Sequence, residues 1–291
     1  MNQTSYFVFG IYQLNLLLRD SMEYMVPNRQ FSVEMYDKRK EGFTALTAEN
    51  SPFGRFLAMN QEKAPKIRES FSNFIDLVYS DNASIVRKID DKIEVDKGLH
   101  LQFYEMTAGL YQTIEDILYG YLAHAQKENQ YEESLAKAIL ANEVYFRSLS
   151  YFAITIDIVE KFNEFQTAFR ESKGQPSPAS NFINEEIGKL VGILGFHKKH
   201  SKVKDVAFHD MVDKVNALLE TIGGKRQLPE GMKFPDLFKA TREVTLNQLQ
   251  KSETEFKAFF GPILNDYVAL TKKITAAQQN KESEVAKDEL S

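Results

Sequence analysis

Apolar residues recur every three or four positions from Leu99 to His124, through Phe103, Met106, Leu110, Ile114, Ile117 and Tyr121, and so stack on one helix face. A second stripe begins at Leu135 and runs through Ile139, Asn142, Phe146, Leu149, Ala153 and Ile156 to about Phe169. Its step shortens to three at Ile156, Val159 and Phe162, which moves the seam sideways around the helix. A neighbouring row, Leu140, Val144, Tyr151, Ile154, Ile158 and Phe165, makes the face wider than a two-stranded coiled coil needs. The pattern predicts an all-α protein: a multi-helix bundle built on a long antiparallel hairpin over 98–171, with the second helix central. Asn129 and Glu132 have capping-box spacing and place the start of that helix at about Tyr131.

The flanking segments extend the helical reading. Residues 4–26 form an amphipathic helix with Phe7, Ile11, Leu14, Leu18, Met22 and Met25 on one face, ended by Pro27. Over 28–50 the alternation of Phe31, Val33 and Met35, with a turn at Glu41-Gly42, sets a small β-hairpin against a helix. Ser51-Pro52 and Pro65 each open a short helix. The stretch 171–179 holds Gly174, Pro176 and Pro178 and divides an N-terminal bundle, 1–171, from a smaller C-terminal helical unit, 179–277. Within that unit the spacing predicts helices over 179–195, 203–222 and 235–260, with a kink or restart at Gly261-Pro262. The polar tail, 278–291, reads as disordered. No repeat of fixed period is present.

With 291 residues and 43% hydrophobic content the chain can bury a core without a staple. It has no cysteine, which excludes disulfides, thiolate chemistry, Cys-ligated zinc and iron–sulfur clusters. The apolar run from Tyr6 to Leu18 is interrupted by Gln13 and Asn15, so it is neither a signal peptide nor a bilayer span. A cytoplasmic protein without membrane insertion is the expectation. The net charge of −5 divides into −7 over 1–171 and +2 over 172–291, and an acidic first half argues against nucleic acid as a partner.

The densest candidate chemistry lies between residues 197 and 213. Asp205, His209 and Asp213 fall four apart on one polar helix face, and His197 and His200 stand in the loop before it, a donor set suited to a divalent metal. His209-Asp210 resembles the dyad of the metal-dependent HD phosphohydrolases, although His200 and His209 are too close in sequence for that arrangement. Lys198, Lys199, Lys202 and Lys204 add an anion-attracting patch beside a helix N-terminus. Asp90-Asp91-Lys-Ile-Glu94 resembles the aspartate-rich box of helical terpenoid synthases, but Asn265-Asp266 lacks the residues of a second box, with Ala269 and Lys273 in their places. No histidine follows a glutamate by three residues, and there is no HExxH, GxSxG or Walker A motif.

Solvated polar faces carry such charge pairs routinely, which weighs against each of these sites. The sequence therefore predicts a non-enzymatic intracellular interaction protein, self-associating or an adaptor, with no cofactor. Tyr104, Tyr111 and Leu118 form a second row on the first stripe's helix that is available to a partner or a second copy. The alternatives are a metal-dependent hydrolase or phosphate-ligand protein using His197, His200, Asp205, His209 and Asp213, and a carrier of an apolar small molecule.

Overall fold

Local capping sets most helix starts in the computed structural model, which describes residues 1–27, 29–130 and 132–288. Asn2, Ser32 and Ser51 accept from the backbone N–H of Ser5, Met35 and Gly54 and open α1 (Gln3–Met22), α2 (Val33–Thr47) and α3 (Pro52–Met59). Pro65 stands in the first turn of α4 (Ala64–Val78). A two-stranded hairpin, β1 (Val86–Ile89) and β2 (Lys92–Val95), pairs Val86 with Val95 and Ile89 with Lys92. Five helices follow: α5 (His100–Lys127), α6 (Glu133–Glu171), α7 (Pro178–His200), α8 (Val206–Ile222) and α9 (Phe234–Asp288). The fold is all-α.

The undecided segment before Ser51 is a helix. Ser32 supplies its cap, and Tyr36, Arg39 and Phe43, three and four apart, form its buried face, while Met35 of the alternating set is exposed. The hairpin lies elsewhere. Its corner is Asp90, at φ 52°, with Asp91, so the pair resembling a metal box is instead an exposed β-turn.

Asn129 also has another role than the expected cap. At φ 55° it terminates α5, with the Gln130 N–H bonded to the Ala125 carbonyl, whereas α6 begins after Glu132 without a side-chain cap. The same device closes α6, where Lys173 and Gly174 have positive φ and the Gly174 N–H reaches the Phe169 carbonyl. Ser177 and Ser180 then form a reciprocal capping box that opens α7. The glycine- and proline-rich stretch is thus a tight helix-to-helix turn. One apolar cluster, from Val8 in α1 to Ile263 in α9, spans it.

The long helix α6 is the axis of packing. It lies backbone to backbone against α7 and α9, and α5 lies in the same way against α1. Tyr151 of α6 donates to the Leu194 carbonyl of α7, and Phe162 and Tyr145 of α6 meet Phe234 and Phe256 of α9. Between α5 and α6 the contact runs through large rings, with Tyr111 stacked on Phe146 at 3.4 Å. Tyr104, Tyr111 and Leu118, the row expected to seek a partner, are at most 1% exposed and belong to this interior. His124, assigned to the stripe, is exposed, as is Leu140.

The N-terminal helix is held by residues far along the chain. Tyr12 donates to the Ala138 carbonyl at 3.0 Å, and Tyr6 stacks on Tyr267. Gly10 lets α3 approach, since a Cβ there would stand 2.5 Å from Pro52 Cγ.

Two helices outrun their expected ends. Gly195 does not stop α7, which carries His197 and His200 on its last turn. Pro262 lies within α9, and the backbone remains helical over 278–288, where polar composition predicts disorder; that stretch has no glycine or proline, and Gln, Lys and Glu make up more than half of it. The expected helix start at Tyr131 and the tail's last residues, 289–291, lie outside the described residues.

Candidate functional site

The most deeply buried charges gather where α5, α6 and α7 meet. Arg147 is fully buried; its Nη2 donates to Glu115 Oε2 at 2.6 Å and to Gln112 Oε1 at 2.8 Å, and its Nη1 donates to His197 Nδ1 at 2.8 Å. Glu143, one turn before Arg147, accepts from the Tyr119 hydroxyl and from the Lys202 backbone N–H at 2.7 Å. Helical spacing assembles both halves, with Gln112, Glu115 and Tyr119 three and four apart on α5 and Glu143 and Arg147 four apart on α6. Asn142 extends the network toward α1, donating to Tyr111 Oη and accepting from Arg19 Nη1, each at 3.0 Å. Arg19 also pairs with Asp20 and lies over the Phe256 ring of α9 at 4.2 Å.

One guanidinium thus faces two buried carboxylates. Burial pushes the Glu115 carboxyl up to about 8; Arg147 opposes that shift and Glu143 adds to it. Burial, with Arg147 alongside, pushes the His197 imidazole well below its ordinary value. Glu115 Oε1 has no hydrogen-bond partner, and Arg147 Nε has only the Glu143 carboxylate, at 3.8 Å. Such a cluster costs desolvation energy, and its bonds tie α5, α6 and α7 to one another.

The five residues proposed as metal ligands are dispersed. His197 is buried on α7 with its Nδ1 occupied by Arg147. His200 is half-buried, with its ring 4.4 Å from that of Phe196. Asp205 is the N-cap of α8, accepting from the Phe208 N–H at 2.8 Å and pairing with Lys251 at 3.0 Å. His209 Nε2 donates to the Val203 carbonyl at 3.0 Å, and Asp213 is exposed on α8. Among the described residues no group of three or more such side chains is placed to hold a metal ion. The phosphate reading meets a similar arrangement, because the Asp205 carboxylate already occupies the N-terminus of α8 and Lys202 lies over Tyr119 at 4.2 Å.

A second polar constellation escaped the sequence reading. Asp157 Oδ2 accepts from Tyr104 Oη at 2.6 Å and from His100 Nδ1 at 2.8 Å, beside a cleft of about 170 Å³ that both His100 and Asp157 line. The carboxylate holds the imidazole proton on Nδ1 and leaves Nε2 as the second ring nitrogen. The available signal was His100 four residues before Tyr104, but their acidic partner comes from another helix.

Comparison with known proteins finds no family model, curated protein or solved structure that matches the chain. No helix among the described residues is long and apolar enough to cross a membrane.

Proposed function

We propose that this chain is a non-enzymatic interaction protein that associates with a second copy of itself through the distal part of α9. The observation that carries the reading is that, among the described residues, the apolar side chains of α9 that join the hydrophobic cluster end at Tyr267. The helix nevertheless continues to Asp288, a projection of roughly 30 Å at ~1.5 Å per residue. Leu270 and Ile274, four apart on one face and each half-buried, give this projection apolar positions. In two antiparallel or parallel copies such positions bury one another at a helix–helix seam.

Light scattering coupled to size exclusion tests the proposal. The full chain is expected to run as a dimer, and Leu270→Asp with Ile274→Asp as a monomer of unchanged thermal stability. A full chain that stays monomeric at high micromolar concentration, or a dimer indifferent to both substitutions, removes the reading.

A further inference from the structure

At the opposite end of α9, its first turns and the middle of α6 enclose a cleft of about 370 Å³. That is within the range of small-molecule sites, roughly 300–1,000 Å³. Ile156, Val159 and Phe238 give it an apolar lining. Lys239 and Arg242, one turn apart on α9, line it as well; both are exposed, and neither makes an ion pair with a described residue. Glu160 is the acidic group of the lining, and it is drawn toward Lys97, 3.8 Å away.

An independent observation concerns Thr155, which also lines the cleft. Helical threonines in this molecule give their hydroxyls to the carbonyl four residues earlier, as Thr113, Thr167, Thr221, Thr241 and Thr271 do. Thr155 departs from this, as Thr107 does: its hydroxyl is buried and has no hydrogen-bond partner. A buried, unpaired hydroxyl costs free energy, and a polar ligand atom recovers it.

We propose that this cleft binds a single-chain amphiphilic anion, a medium-chain fatty acid, with its alkyl chain along Ile156, Val159 and Phe238 and its carboxylate between Lys239 and Arg242. Charge complementarity selects the head group, because a guanidinium and an ammonium lie together beside an apolar surface without acidic partners of their own. Thr155 stands in the same wall with its hydroxyl unpartnered. The site is independent of self-association, since it uses the other end of α9.

Isothermal titration of the full chain with dodecanoate, below its micelle concentration, tests this. Expected are one site per chain, at least a tenfold loss of affinity in Lys239→Glu with Arg242→Glu, loss of binding in Val159→Arg, and no binding of dodecyltrimethylammonium. All three substituted positions are at the surface or cleft wall, and circular dichroism verifies that each variant is folded. Absence of a one-to-one site, equal affinity for the cationic amphiphile, or affinity unchanged by the charge reversals overturns the proposal.

Discussion

Arg147 donates to His197 Nδ1 across 2.8 Å, and because a guanidinium offers no lone pair, that bond fixes His197 as a neutral imidazole with its proton on Nε2. The same arginine pairs with Glu115, whose carboxyl burial pushes up to about 8.

The two groups give stability a defined pH dependence. Between about 6.5 and about 8 the folded chain keeps a proton on Glu115 that the unfolded chain, with an ordinary value near 4.5, has released; stability therefore falls as pH rises, by about 1.4 kcal/mol per unit for this one group. Below 6.5 the unfolded chain protonates His197 while the folded chain refuses the proton, so this group's contribution is lost on acidification. The two slopes oppose each other between about 4.5 and 6.5 and leave a plateau. Urea midpoints of Glu115→Gln are expected to lose the alkaline decline; slopes identical to the parent's from pH 6.5 to 8 would contradict it.

Above pH 8, where Glu115 as well is ionised, Arg147→Ala leaves Glu143 and Glu115 buried without their cation. The expected cost is about 3–5 kcal/mol in chemical denaturation. In a Glu115→Gln background the same substitution costs less, because one of the two carboxylates no longer requires compensation. Equal costs in both backgrounds would show that the pair is not coupled.

Gly10→Ala places a methyl group against Pro52. At 2.5 Å from Pro52 Cγ the methyl group requires the ring or the helix to shift, so a loss of about 1–3 kcal/mol is expected. A variant as stable as the parent means that α3 moves freely relative to α1.

Asp157 sets the tautomer of His100. Long-range ¹H–¹⁵N correlation is expected to find the proton on Nδ1 in the parent and a population shifted toward Nε2 in Asp157→Asn. An unchanged tautomer in the variant means that the carboxylate does not govern the ring.

The helices were legible because their signals are local. Ser51-Pro52 caps where the sequence predicts, and the stripe of α6 marks a buried face, whereas on α5 Phe103, Leu110 and Ile114 of the stripe are buried and the neighbouring Tyr104, Tyr111 and Leu118 row is the more deeply buried one. The hairpin at 86–95 was missed although Val86, Ile89, Ile93 and Val95 flank a turn pair, because Asp90-Asp91 drew a chemical reading instead. The Arg147 network was harder to find. Each member interrupts an apolar pattern and looks like a solvated exception until a third helix supplies its partner; His197 was placed in a loop because Gly195 suggested an end to α7. Asp205 precedes the helix that holds His209, and capping and a backbone carbonyl claim their polar atoms.

The bond from Tyr12 to the Ala138 carbonyl has a consequence for how the chain is made. Its ends are 126 residues apart in sequence. At a synthesis rate of roughly 5–20 residues per second, α1 leaves the ribosome on the order of ten seconds before the turn of α6 that receives it, and longer before Tyr267 arrives to cover Tyr6. The side of α1 that carries Tyr6 and Tyr12 therefore waits for α6 and α9 to cover it, although α2, α3 and α5 pack on other parts of the helix earlier.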